Sequence, residues 1–391
     1  MMNKHILLFF WLPVVARIVL VEAAEKHHQQ QQQKDEDTTL ADSSQLWPVV
    51  DCRRLVRGEP DPIADAAIGN ALLTRGFFFA QHVLETPTED ASTIKLEEVY
   101  EASRRAHALP VQEKMEYSGA GYTGPDVDKH ELSYEPNKKS IVRAWDFARE
   151  ANSFVPEHTS YPDNLQDVMQ RLYDRQALIG KVLLRAMARG LNKEDLEEDA
   201  FSKLTASGEL GSVRLLYYPA LTEEELEQAN VNGISAHTDF EAFTLMHQDA
   251  PGLQVRARHS KVWEDVPMRI VSDESNDNTL LVIMGDVMER LTNGYLQATP
   301  HRVLPTTHDR YAIIRFNALE ANAVIAPLPP FCNETHPQGN YSPTTMAEIM
   351  RVVMENLESG KGAWDPIHDK STTVDYDYSA THAETDSCTS S

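Results

Sequence analysis

The chain has 391 residues, of which 41% are hydrophobic and 25% are charged, and this composition is typical of a globular protein with one large domain or two. Its formal net charge is -24, so its surface repels phosphate and nucleic acid is excluded as an expected partner. Three cysteines are too few for a disulfide scaffold, and no C-x-x-C pair is present, which excludes zinc-finger and thioredoxin-type sites. Only Cys52 and Cys332 could form one structural disulfide.

The N-terminus has the layout of a secretory signal peptide. Lys4 precedes an apolar run at 6–16, and two small residues follow at 23–24. We therefore expect residues 1–24 to be a signal peptide and the glutamine-rich stretch 25–44 to be a disordered leader. The mature protein is then expected in the secretory pathway or outside the cell, without stable membrane insertion.

Two other locations stay open. Arg17 interrupts the apolar run, which is short for a transmembrane helix, but an uncleaved signal anchor would tether the chain to a membrane. Without a functional signal, the chain would be cytoplasmic. In a secreted protein, the sequons at Asn333 and Asn340 would be glycosylation candidates.

Residues 45–200 alternate between strand and helix patterns. Gly76 ends a helix of regular apolar spacing, and "GFFFAQHV" follows it as a strand. The predicted elements of this region are a strand at 47–55, a helix at 61–75, a strand at 76–83 and helices at 91–107 and 164–190.

From residue 211 the pattern changes to short segments that are rich in β-branched and aromatic residues and separated by Gly, Pro, Asn and Asp. Such a series is typical of an all-β sandwich or barrel, which we place at 201–330. A helix at 343–359, capped by Ser342, dominates a C-terminal region at 331–365. The polar tail at 366–391 is expected to be disordered. The chain is thus mainly β with flanking α-helices.

The stretch "ISAHTDFEAF" contains a potential metal site. His237 and Asp239 are two residues apart, and in a strand such residues point to the same face. A second histidine, His301, follows 64 residues later, after enough strands to bring the sheet back to the same place. Two histidines and one aspartate form the facial triad of non-haem Fe(II) oxygenases. Arg310, on the next predicted strand, could bind a carboxylate through two parallel hydrogen bonds.

Several motifs occur together in one order over residues 45–330. They are "WPVVD", "IADAAIGNALLTRGFFFAQH", "RLLYYP", "AHTDFEAFTLMHQDAPGLQV", "VWEDVP", "LLVIMGDVMERLTNGYLQATPHRV" and "RYAIIRF". With them the chain resembles the 2-oxoglutarate- and Fe(II)-dependent dioxygenases of the isopenicillin N synthase-like branch. The resemblance implies a double-stranded β-helix, or jelly roll, with helices packed outside it.

The resemblance also implies a role for each matching residue. His237, Asp239 and His301 match the iron ligands, and the cofactors are Fe(II), 2-oxoglutarate and dioxygen, with ascorbate as a possible reductant. Arg310 matches the residue that binds the distal carboxylate of 2-oxoglutarate, and Tyr218 matches a tyrosine that assists it. The implied reaction couples oxidative decarboxylation of 2-oxoglutarate to hydroxylation, desaturation or cyclisation of a small organic substrate.

Two positions depart from the family pattern. The family usually has Arg-x-Ser where this chain has Arg310 and Ala312, and it often has Asn where this chain has Leu216. Each loss removes a hydrogen bond. The alternatives are therefore an oxidase of the same family that does not use 2-oxoglutarate, a non-catalytic metal-binding β-helix protein, and a cupin-like zinc protein.

The segment 116–150 is expected to contribute to the pocket mouth. Tyr122 and Trp145 are its candidate substrate contacts, and the competing interpretation is that both are buried aromatics in a packed loop. We expect Asp286 and Gly294 to shape turns rather than to take part in chemistry.

Overall fold

A computed structural model describes residues 47–84, 94–117, 121–124, 139–152, 155, 161–162, 164–206, 208–228, 231–268, 279–333, 339–359, 364–365 and 370–371. The chain divides into two compact units, residues 1–48 and 49–391, and only Trp47 and Pro48 of the first unit are described. The predicted signal peptide at 1–24 and leader at 25–44 lie outside the described residues. The described residues contain no helix long and apolar enough to cross a membrane.

The strands are short and most of them lie after residue 210, as the sequence predicts. They are β1 (Val49–Asp51), β2 (Phe77–Gln81), β3 (Tyr122–Thr123), β4 (Lys139–Ser140), β5 (Arg143–Ala148), β6 (Ser212–Tyr218), β7 (Val231–Asn232), β8 (Ile234–His237), β9 (Phe243–Gln248), β10 (Leu253–Val255), β11 (Glu264–Asp265), β12 (Leu280–Met284), β13 (His301–Val303), β14 (Arg310–Asn317), β15 (Val324–Ile325), β16 (Thr344–Thr345), β17 (Trp364–Asp365) and β18 (Lys370–Ser371).

The helices lie between the strands along the chain. They are α1 (Arg53–Val56), α2 (Pro62–Thr74), α3 (Leu96–His107), α4 (Val111–Lys114), α5 (Leu165–Leu191), α6 (Glu223–Gln228), α7 (Asp286–Leu291) and α8 (Met346–Glu358). The predicted helices at 61–75, 91–107 and 164–190 correspond to α2, α3 and α5.

Two sheets form the body of the fold. The larger has eight strands in the order β1-β2-β12-β9-β14-β6-β5-β3, and the smaller has four in the order β11-β10-β13-β8. Side chains from β6 and β14 of the larger sheet and from β8, β10 and β13 of the smaller sheet line one common cavity. This is the jelly roll that the resemblance implies, and the cavity lies between its sheets.

The N-terminal region completes the larger sheet. β1 pairs in parallel with β2, β2 pairs with β12, and β5 pairs with β6. Strands from the predicted regions 45–200 and 201–330 therefore share one sheet. The strand β5 was not predicted, because its sequence "RAWDFA" contains two charged residues. In the folded chain Asp146 is paired with Arg214, and Arg143 is partly exposed.

The long helix α5 buries an apolar stripe that contributes to the hydrophobic core. α2 crosses it where Gly69 lies against Gly190, and a Cβ added at Gly69 would overlap the Gly190 carbonyl oxygen. The two helices approach this closely because neither backbone carries a side chain at the crossing. Both glycines are therefore packing residues.

Four predictions differ from the structure in detail. The strand predicted at 47–55 extends only over Val49–Asp51, and α1 begins at Arg53. α8 begins at Met346 and not at 343; the hydroxyl of Thr345 accepts from the Glu348 N–H at 3.3 Å, and Ser342 is not the cap. Cys52 and Cys332 are both free thiols, so the possible disulfide is not formed. The tail at 366–391 was expected to be disordered, but it contains β18, which pairs with β17. The other residues of the tail lie outside the part that the structure describes.

Candidate active site

Cross-strand pairing brings the two predicted metal-binding histidines together. His237 is the last residue of β8 and lies directly opposite His301, the first residue of β13. Their ring centroids are 4.2 Å apart. Asp239 lies two residues beyond the end of β8, in the connection to β9, so it does not occupy the same strand as His237. The chain still turns its carboxylate toward the two rings.

The three side chains have the geometry of a metal site. Asp239 Oδ1 is 3.7 Å from Nε2 of His237 and 3.7 Å from Nε2 of His301. One ligand atom from each residue lies within 4.8 Å of the other two, and all three residues are buried. Two imidazole nitrogens and one carboxylate oxygen suit Fe(II) and leave further coordination positions open.

Backbone carbonyls fix the tautomers of both histidines. His237 Nδ1 lies 2.8 Å from the Ser235 carbonyl oxygen, and His301 Nδ1 lies 3.1 Å from that of Thr299. A carbonyl oxygen can only accept, so each Nδ1 carries the proton and each Nε2 keeps its lone pair for a metal. Burial lowers the pKa of His237 to about 3, which keeps its imidazole neutral.

The aspartate is also held in place. The Thr244 hydroxyl donates to Asp239 Oδ2, which leaves Oδ1 facing the histidines. The Asp286 N–H donates to the Asp239 carbonyl oxygen at 2.8 Å. A Cβ added at Gly285 would overlap the carbonyl oxygen of Glu241, so the turn before α7 packs directly on the loop that carries Asp239. The backbone of Asp286 thus helps to hold this loop in place.

Arg310 lies in the same cavity as the three potential ligands. It pairs with Tyr218 across β14 and β6, and its guanidinium carbon is 4.7 Å from the centre of the Tyr218 ring. Its Nη2 donates to Gln248 Oε1 at 2.7 Å. Its Nε and Nη1 are buried and have no hydrogen-bond partner among the described residues. A buried charge is costly unless it is paired, so this cation is suited to bind an incoming carboxylate.

Two charged residues that were not predicted also line the cavity. Arg214 lies on β6 and is paired with Asp146, with 2.5 Å between Nε and Oδ1. Glu241 is buried, and its Oε2 has no partner among the described residues. Burial, together with the charge of Asp239, raises the pKa of Glu241. The alternation of β6 could have indicated Arg214, because it lies four residues before Tyr218.

Tyr122 and Trp145 are not among the described residues that line the cavity. They lie opposite each other on β3 and β5, with ring centroids 4.8 Å apart, and both are fully buried. His107 contacts both rings edge-on. Their packing is that of core aromatics, and the segment 116–150 contributes Val142 to the cavity wall instead. The rest of the predicted mouth at 118–120 and 125–138 lies outside the described residues.

Comparison with known proteins agrees with this site. Residues 211–318 match the family model of the 2OG-Fe(II) oxygenase superfamily, and this range contains the triad and Arg310. The 2-oxoglutarate-Fe(II) type oxidoreductase ppzD of Metarhizium rileyi is 28% identical over 59% of this chain and 67% of its own length. The 2-oxoglutarate-Fe(II) type oxidoreductase hxnY of Emericella nidulans is 31% identical, and that match spans about half of each protein, 50% and 52%.

Among solved structures, a full-length Neurospora crassa protein in complex with alpha-KG and thymine has the same fold. It superposes with a TM-score of 0.64 at 21% identity, over 80% of this chain and 97% of that one. The site, the family model and the relatives agree: residues 211–318 are a domain of the 2OG-Fe(II) oxygenase superfamily, whose cofactors are Fe(II), 2-oxoglutarate and dioxygen.

Proposed function

We propose that the protein oxidises a small organic substrate with Fe(II) bound by His237, Asp239 and His301. In the overall reaction, 2-oxoglutarate is converted to succinate and carbon dioxide with one oxygen atom of dioxygen. The other oxygen atom enters the substrate on hydroxylation, or leaves as water with two substrate hydrogens on desaturation or cyclisation. The observation that supports this most strongly is the common cavity. It holds three converging ligand atoms and also Arg310, with two buried donors that lack a partner in the described part of the chain.

The residues of the chain would bind and orient, while the metal would supply the activation of dioxygen. The carbonyls of Ser235 and Thr299 keep both Nε2 atoms available for Fe(II). Arg310 would bind the distal carboxylate of 2-oxoglutarate, with Tyr218 packed against its guanidinium. The burial of these residues keeps bulk water away from the reacting groups.

The names of the relatives support a small substrate. One is a feruloyl CoA ortho-hydroxylase of Arabidopsis thaliana, 27% identical over 73% of each protein. The motif order and these relatives support our assignment of the chain to the isopenicillin N synthase-like branch of the family. The unpaired donors of Arg310 favour 2-oxoglutarate as co-substrate over an oxidase reaction without it.

Secretion is also part of the proposal. Its support is the layout of Lys4, the apolar run at 6–16 and the small residues at 23–24. The first described strand, β1, begins at Val49, so removal of 24 residues leaves every described element intact.

Succinate release tests the proposed reaction. Purified protein with Fe(II), ascorbate and 2-oxoglutarate is screened against small organic molecules, and at least one class should stimulate succinate formation. The Asp239→Ala variant is the matched control and should release none above the protein-free background. Succinate release that is equal in both proteins would contradict the proposal.

A further inference from the structure

Gln248 lies in a row of three residues that run across the larger sheet. In this row Leu216 of β6 is opposite Ala312 of β14, and Ala312 is opposite Gln248 of β9. Directly paired residues place their side chains on the same face of a sheet. Leu216 and Ala312 are the two positions where the family pattern has Asn and Ser, so Gln248 is the one polar side chain of this row.

Arg310 fixes the orientation of the Gln248 amide. Arg310 Nη2 donates to an acceptor of Gln248 at 2.7 Å, and the oxygen is the amide atom that can accept. The NH₂ group therefore points elsewhere. Gln248 Nε2 is buried and has no hydrogen-bond partner among the described residues. A buried donor without an acceptor is costly, as are the Nε and Nη1 donors of Arg310 beside it.

The surroundings offer few other partners for this donor. Gln248, Arg310 and Ala312 line a cavity whose remaining wall is largely apolar, with Met246, Leu281 and Ile314 among its residues. Arg310 also lines the cavity of the metal site. Gln248 is not among the described residues that line the metal cavity, but its hydrogen bond to Arg310 holds its amide next to the guanidinium that would bind a carboxylate.

We propose that Gln248 binds the distal carboxylate of the co-substrate together with Arg310. Its Oε1 holds the guanidinium in place, and its Nε2 donates a hydrogen bond to the carboxylate, in place of the hydroxyl that Ala312 lacks. The inference rests on the proposed use of 2-oxoglutarate. It explains how a chain without the family serine and asparagine still offers a polar site to a dicarboxylate.

Calorimetric titration of 2-oxoglutarate into the Mn(II)-loaded protein, without dioxygen turnover, is the test. Gln248→Leu should weaken binding at least tenfold, the range that loss of one hydrogen bond to a charged group produces. Gln248→Glu keeps the acceptor for Arg310 but replaces the donor with a like charge, and it should weaken binding at least as much. Gln254→Leu is the matched control, because Gln254 accepts from Arg302 at 2.8 Å in the smaller sheet.

A double-mutant cycle adds a readout that a merely structural role would not change. Ala312→Ser should strengthen binding by a larger factor in Gln248→Leu than in the wild type, because the restored hydroxyl replaces the lost amide. Affinity within threefold of the wild type in Gln248→Glu or folded Gln248→Leu would overturn the inference. If the wild type does not bind 2-oxoglutarate at all, the proposed function fails first.

Discussion

The Arg310→Lys substitution keeps the positive charge at the proposed co-substrate site but removes the planar fork of the guanidinium. Arg310 has 2% of its surface exposed, gives Nη2 to Gln248 and keeps Nε and Nη1 for a ligand. Lysine has a single Nζ, which must serve both Gln248 and the carboxylate. We expect at least one charge-assisted hydrogen bond to be lost. Such a bond contributes about 1.5–3 kcal/mol, so 2-oxoglutarate should bind about 10- to 150-fold more weakly.

Calorimetric titration of 2-oxoglutarate into Mn(II)-loaded protein measures this loss. Arg302→Lys is the control, since Arg302 stacks on Trp263 at 4.4 Å and is not among the described residues that line the metal cavity. It should bind 2-oxoglutarate like the wild type, and Mn(II) affinity should be equal in all three proteins. An Arg310→Lys variant that is folded and binds 2-oxoglutarate within threefold of the wild type would refute the assignment of Arg310.

Three further predictions concern the metal site, the fold and the N-terminus. Thr244→Val removes the hydroxyl that holds the carboxylate of Asp239, the proposed metal ligand. Fe(II) affinity, measured by competition with a chelator, should fall about 10- to 100-fold, and an unchanged affinity would count against this role of Thr244. Gly69→Ala should lower the free energy of unfolding by about 1–3 kcal/mol in denaturant titrations, because the new Cβ would overlap the Gly190 carbonyl oxygen. An equal or higher stability would contradict the close crossing of α2 and α5. N-terminal sequencing of the protein from its native host should begin after residue 24, whereas an intact Met1 would reject cleavage.

The series of short segments rich in β-branched and aromatic residues after residue 210, separated by turn residues, made the β-rich core predictable. The pairing order was not predictable from that pattern. The position of His301 opposite His237 depends on strands that are close in space and far apart in sequence. The resemblance supplied that information, since the family order of motifs includes the triad and Arg310.

The substrate side of the cavity was less predictable than the metal side. Tyr122 and Trp145 have the residue types of substrate contacts, but residue type does not reveal whether an aromatic ring faces a cavity or the core. Glu241 is two residues from Asp239 in the stretch "ISAHTDFEAF", yet only the folded chain shows that its buried Oε2 has no partner among the described residues. The partnership of Gln248 with Arg310 likewise depends on cross-strand register and not on sequence distance.

The most direct test is the iron content of the His301→Ala and Asp239→Ala variants after anaerobic reconstitution with Fe(II) and removal of excess metal. Wild-type protein should retain one Fe(II) per chain, and each variant should retain none while keeping the wild-type circular dichroism spectrum. The expected loss follows from the position of both side chains, whose ligand atoms Nε2 and Oδ1 are 3.7 Å apart. A folded variant that still binds one Fe(II) per chain with wild-type affinity would contradict the account.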